Sequence, residues 1–100
     1  MLQIQDHIDA ISALCNIHGV RHLYAFGSVL TNEFNAESDV DLIVDFHPIS
    51  LVEYADNYYD LKFSLEGVLN RKVDLLEEQA IKNPHFIKAI EKQKQLIYGS

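Results

Sequence analysis

Asp39 and Asp41 stand two apart in the apolar run Asp39-Val40-Asp41-Leu42-Ile43-Val44, and ten residues separate them from a Gly27-Ser28 pair. A strand sends residues i and i+2 to one face. The two aspartates therefore point together to one side, while Val40, Leu42, Val44 and Phe46 line the other. Aspartate is depleted in strands, and neighbouring carboxylates repel unless something neutralises them. A divalent cation does this naturally, because Mg2+ takes carboxylate oxygens and is shared with substrate phosphates. Glycine at a strand-to-helix turn lets the backbone approach a ligand closely, and the helix N-terminus that follows offers N–H groups to anions. Ser28 adds a hydroxyl that can donate to a phosphate. Gly27-Ser28 is thus a candidate cradle for a triphosphate, next to a carboxylate pair.

A third acid would complete the set, and Asp74 is the candidate. It lies in Val73-Asp74-Leu75-Leu76, where an unpaired aspartate would be costly to bury. Lys72, two positions earlier, shares its face and could meet a phosphate or pair with Asp74. Three carboxylates at one strand-built cleft match the two-metal arrangement for phosphoryl or nucleotidyl transfer. On this reading Asp39 and Asp41 hold metal, and Asp74 holds a second ion or serves as general base. The plainer alternatives are a turn capped by Asp39 and Asp41, and a surface pair of Asp74 with Lys72. Ser28 is not expected to be a covalent nucleophile, since no histidine stands in a triad context. The five histidines show no metal-ligand spacing and read as surface or partly buried groups.

These side chains need strands and turns to position them, and the pattern supplies both. Leu2, Ile4, Ile8, Ile11 and Cys15 recur at helical spacing, which predicts an amphipathic helix ending near His18-Gly19, with Cys15 in the core. Residues 20–26 form a first strand, Val29 onward starts a short helix that gives way to a polar loop, and residues 40–46 form a second strand. Ser50 and Glu53 fit a capping box. Leu51, Ala55, Tyr58, Leu61, Leu65, Val68 and Leu69 then keep a helical period to about residue 70. Tyr54, Tyr58 and Tyr59 on that helix read as core or half-buried, with a tyrosine-rich partner patch as the alternative. Residues 72–76 form a third strand. Asn83-Pro84 marks the start of a last helix, as N-cap and first helical residue, and Leu96-Ile97-Tyr98 docks back as an extended tail. The expected fold is α/β, a small mixed β-sheet flanked by helices, with helices on one side and an open cleft on the other.

One hundred residues suffice for a single domain with one modest core. No stretch approaches the ~20 apolar residues of a membrane span. The opening residues lack the pattern of a signal peptide, and the lone Cys15 can form no internal disulfide, so a cytoplasmic protein is expected. Net charge is −7, and it is unevenly spread: residues 1–61 hold ten acidic side chains and one basic one, Arg21. Non-specific nucleic-acid binding needs basic patches that release counterions. No direct nucleic-acid binding is expected; an acidic surface suits a basic protein partner or a metal–nucleotide complex.

Gly27-Ser28, ten residues and then Ser38-Asp39-Val40-Asp41-Leu42, followed by the later Val73-Asp74-Leu75, resembles the signature of the DNA polymerase beta-type nucleotidyltransferase superfamily. The compact length and the segment from Val73 to Gly99 resemble more narrowly the minimal nucleotidyltransferase family. The resemblance implies an antitoxin paired with a HEPN-domain RNase toxin, using ATP and Mg2+ to add AMP groups to a tyrosine of that toxin. Residue by residue, it implies that Gly27 and Ser28 bind phosphate and that Asp39, Asp41 and Asp74 are the catalytic metal ligands. One departure stands out: relatives often carry Ala-Arg-Gly where this chain has Leu30, Thr31 and Asn32. A fixed cation for the triphosphate is then missing, and Lys72 or Arg71 could compensate. Two other functions fit the same residues. One is nucleotide transfer to a small molecule such as an aminoglycoside, which would need a second polypeptide to hold the acceptor. The other is a catalytically weak antitoxin that masks its RNase by contact alone.

Overall fold

The computed structural model describes residues 4–27 and 39–99. A 3-10 turn, Ile4–His7, leads into α1, Ile8–Ile17. Gly19, at φ 69°, follows as the left-handed residue that ends the helix, and the His18 N–H closes on the Leu14 carbonyl at 3.0 Å. Strands β1, Val20–Phe26, and β2, Val40–Phe46, come next, then the long α2, Leu51–Leu69. After α2 come β3, Val73–Glu77, a 3-10 turn, α3, Pro84–Gln93, and β4, Gln95–Tyr98. The sheet order is β3-β2-β1-β4; β2 runs antiparallel to β1 and parallel to β3, and β4 adds antiparallel to the far side of β1. The sheet is therefore mixed, as the pattern predicts. Residues 29–32, with the short helix expected there, lie outside the described residues.

The core forms between one sheet face and helices α1 and α2. Leu23 and Ala25 of β1, Val40, Leu42, Val44 and Phe46 of β2, and Val73 and Leu75 of β3 meet Ile11 and Cys15 of α1 and Leu61, Leu65 and Leu69 of α2. This is the face the period-2 pattern assigns to the core, and Cys15 lies wholly within it. Burial pushes the Cys15 thiol up to about 12, so it is an inert packing group.

Several expectations are corrected here. The second sheet face is not left bare: Phe86 of α3 packs edge-on against Phe26 at 6.2 Å, and Ile43 shares a cavity wall with Ile87 and Ile90. Ile43 is accordingly buried, because β2 is covered on both faces. Ser50 occupies the N-cap position of α2, but its side chain makes no capping bond; the Glu53 N–H reaches its carbonyl instead, at 3.2 Å. Asn83 does cap α3, its Oδ1 accepting from the His85 and Phe86 N–H groups at 2.9 and 3.3 Å. Leu51 and Ala55 are exposed because the first turns of α2 turn these residues away from the sheet. Tyr54 and Tyr58 are half-buried, but Tyr59 is 52% exposed. His18 is a core residue, only 6% exposed, and it ties α1 to α2: Nδ1 meets the Leu14 carbonyl at 2.7 Å and Nε2 the Asp60 carboxylate at 2.6 Å.

A bulge at the start of β1, between Val20 and His22, turns two consecutive side chains to one place. Arg21 donates to both oxygens of Asp45, Nε at 2.8 Å and Nη2 at 3.1 Å, while His22 Nδ1 lies 3.1 Å from the same carboxylate. The Arg21 hydrogen bonds hold the Asp45 carboxyl below its ordinary value, against the cost of burial, with His22 adding to the effect. The folded state thus favours the ionised form more than the unfolded chain does, and the stabilisation is present above the ordinary carboxylate range and lost as pH falls through the lowered value. Asp45→Asn is expected to lower the melting temperature at pH 7, with the gap to wild type closing below about pH 4. Calorimetry across pH 2–7 checks this, and a gap independent of pH would exclude the ionic origin.

Candidate active site

Three chain segments bring their residues to one end of the sheet. Phe26, the last residue of β1, pairs across with Asp41 on β2, and Asp41 in turn stands beside Asp74 on β3. The Val40 N–H donates to the Lys72 carbonyl at 2.9 Å, which locks the two parallel strands in this register. Slipping β3 by one residue would turn Asp74 to the core face and bring Val73 or Leu75 beside Asp41. Asp39 sits just before β2, two residues ahead of Asp41 and near enough for its charge to act on that carboxyl. Asp39 and Asp74 are exposed, and Asp41 is half-buried between them.

The central carboxylate, Asp41, senses the other two. The Asp41 carboxyl is held above its ordinary value, first by burial and then by the negative charges of Asp74 and Asp39. Phe26, opposite Asp41 in the strand pairing, and Phe86 packed edge-on against it form an aromatic wall on the β1 side. Sequence reasoning brought together the acids but not this wall; the signal was Phe26 standing immediately before Gly27 on a face-sharing register.

Gly27 closes the site from the β1 side. Its φ is 75°, in the left-handed region, and a Cβ built on it would lie 2.7 Å from Asp41 Oδ2. Only a residue without a side chain lets the backbone turn there while Asp41 keeps its place. Ser28, the other half of the expected phosphate cradle, lies outside the described residues, as do Leu30, Thr31 and Asn32. Lys72 is exposed, directly before β3. Arg21 is removed from the site: Asp45 is four residues along β2 from Asp41, about 13 Å at strand rise, and holds the guanidinium there.

Among the described residues no three His, Cys, Asp or Glu side chains are gathered closely enough to ligate one ion. The donor set nonetheless fits a hard cation. Its members are carboxylate oxygens, their mutual repulsion is relieved by positive charge, and a side-chain-free turn lies against the central one.

The family described as Polymerase beta, Nucleotidyltransferase matches residues 9–100. A candidate protein adenylyltransferase of Methanocaldococcus jannaschii, MJ1379, is 37% identical over 79 residues, 79% of this chain and 76% of that one. A solved candidate minimal nucleotidyltransferase is 28% identical, with a TM-score of 0.76 over 92% of this chain and 90% of that chain. The fold also matches a chain in the structure of a tri-AMPylated Shewanella oneidensis HEPN toxin in complex with MNT antitoxin. There the TM-score is 0.67 at 18% identity, covering 98% of this chain and 74% of that one. No described helix is long and apolar enough to cross a membrane.

Proposed function

This chain belongs to the polymerase beta nucleotidyltransferase family, and from that premise we propose that it moves AMP from ATP to a protein hydroxyl, a tyrosine of a HEPN-domain RNase, and so acts as the antitoxin of a toxin–antitoxin pair. The observation that carries the reading is the register of Asp41 with Asp74 beneath a glycine turn, with Asp39 two residues ahead of Asp41. Supporting it are a similar protein named as a candidate protein adenylyltransferase and a like fold seen with an AMPylated HEPN toxin.

In this reaction the tyrosine oxygen forms a bond to the α-phosphorus of ATP, the bond from that phosphorus to the bridging oxygen breaks, and pyrophosphate leaves. The hydroxyl proton passes to a carboxylate, and Asp74 on the open side of the trio is the base. Asp39 and Asp41 would hold Mg2+, which when bound would offset the charge of the triphosphate and of the leaving pyrophosphate. Gly27 and Ser28 would bind the phosphates, and Lys72, just ahead of Asp74, would supply a cation in place of the arginine absent at Thr31. Asp41 orients the trio because Gly27 and Asp74 flank it on either side.

Incubation of the chain with ATP, Mg2+ and the HEPN RNase of its own genome should add mass to the RNase in AMP steps, with pyrophosphate released in equal amount. Chelation by EDTA should stop the increments and added Mg2+ restore them. An RNase of unchanged mass that is nevertheless silenced would replace transfer with masking by contact.

A further inference from the structure

We infer that the outward face of α2, centred on Tyr59 and Phe63, is the surface on which the protein acceptor docks to deliver its hydroxyl to Asp74; this rests on the adenylyl-transfer reading above. The first observation concerns direction. Across the sheet the order is Gly27 at the end of β1, Asp41 on β2 and Asp74 on β3. A triphosphate held at the Gly27 turn occupies the β1 side of Asp41. In-line displacement then requires the attacking oxygen to arrive opposite the leaving pyrophosphate, from the β3 side and past Asp74. A protein acceptor that does so must rest on whatever flanks β3.

That flank is α2. The outward-facing backbone groups on either side of Asp74 are taken by α2 side chains: the Val73 N–H donates to Glu66 Oε2 at 2.9 Å, and the Tyr58 hydroxyl donates to the Leu75 carbonyl. The edge strand is thereby closed to a further strand, so an incoming protein meets the helix and not the sheet edge.

The second observation is that α2 has a second apolar face. Leu61, Leu65 and Leu69 fill the core, yet on the opposite side Val52, Tyr59 and Phe63 recur at helical spacing and are 90%, 52% and 60% exposed. Tyr59 and Phe63 stack at 6.1 Å, and Tyr59 meets Tyr58 edge-on at 5.1 Å, so the rings form one ordered surface running down to β3. Exposed aromatics in an ordered array cost little entropy to bury against a partner.

The third observation is charge. Of the charged side chains on α2 itself, Glu53, Asp56, Asp60 and Glu66 are acidic and Lys62 alone is basic. Such a rim selects a basic partner. An enzyme that binds RNA carries basic surface for the phosphates, so the occupant is a cationic surface of the RNase that brings the acceptor tyrosine with it.

The test uses Tyr59→Ser with Phe63→Ser, checked for an unchanged fold by circular dichroism, and Asp56→Lys as a rim variant. Binding of the HEPN RNase is measured without ATP, and AMP transfer is measured with it. The double variant should bind the RNase about 10- to 100-fold more weakly and raise the acceptor KM by the same factor, with kcat and the KM for ATP within about 3-fold of wild type. Asp56→Lys should weaken binding less and flatten its salt dependence. A folded double variant with wild-type binding and acceptor KM overturns the inference while the transfer reading stands. Wild-type binding without any transfer, lost in the double variant, sinks transfer and keeps the docking face. A stable dimer of this chain by light scattering, abolished by Tyr59→Ser with Phe63→Ser, would assign the stripe to self-association and overturn the proposal.

Discussion

Asp41→Asn is expected to abolish AMP transfer and, at neutral pH in the presence of EDTA, to raise the melting temperature. The loss should be on the order of 10³-fold or more in kcat/KM, since on the proposed mechanism the central carboxylate would orient both the metal and the phosphates. The gain in stability follows from the same geometry. Burial and the charges of Asp74 and Asp39 hold the Asp41 carboxyl above its ordinary value. The folded chain therefore binds this proton more tightly than the unfolded chain, and wild-type stability declines as pH rises through the interval from the ordinary to the raised value. Asparagine carries no charge through that interval. Its advantage should be absent below about pH 4 and reach its full size above the raised value. A variant that is both inactive and more stable identifies a residue kept for chemistry at a cost in folding. Asp41→Asn that lowers the melting temperature, or retains more than a tenth of the activity, would remove Asp41 from the centre of the site.

The second large effect concerns a residue with no side chain. Gly27→Ala adds one methyl group, which must stand 2.7 Å from Asp41 Oδ2 unless something moves. The backbone at φ 75° compounds this, at roughly 1–2 kcal/mol for an L-residue in the left-handed region. Displacement of the Asp41 carboxylate by even about an ångström is expected to reduce turnover on the order of 10²-fold, while the melting temperature falls by only a few degrees. Gly19→Ala is the control: its φ is also positive, at 69°, but nothing lies within 4 Å of an added Cβ. That variant should show a similar small loss of stability with activity intact. Equal activity losses in the two variants would mean that backbone strain, and not crowding of Asp41, is responsible.

Most of the fold is written locally. Alternation in residues 40–46 assigns Val40, Leu42, Val44 and Phe46 to one face and Asp41 to the other, and all four apolar residues lie in the core. Asn83-Pro84 starts α3 because a side-chain acceptor and a residue without an N–H suit a helix entrance. Where reading along the chain fell short, a distant partner decided. A helical period cannot distinguish one apolar face from two, so Tyr59 reads as core or half-buried by its spacing although α2 carries it outward. His18 in sequence is one polar residue among others; only Asp60, brought alongside by the packing of α1 on α2, makes it a core group.

The amino-acid order by itself determined the chemistry available to this protein: two aspartates on one strand face, a glycine turn before them, and a third aspartate in a later apolar strand. Spacing within a strand is set by covalent geometry, so those statements need no knowledge of the rest of the chain. The tertiary structure alone decided that the third aspartate stands beside the second and not elsewhere on the sheet, because a parallel register depends on hydrogen bonds between segments thirty residues apart in sequence. It alone tied Arg21 to Asp45, leaving the acids without that cation, and it alone turned an aromatic stripe of α2 toward the outside. Those outcomes are settled by packing, which local pattern does not encode.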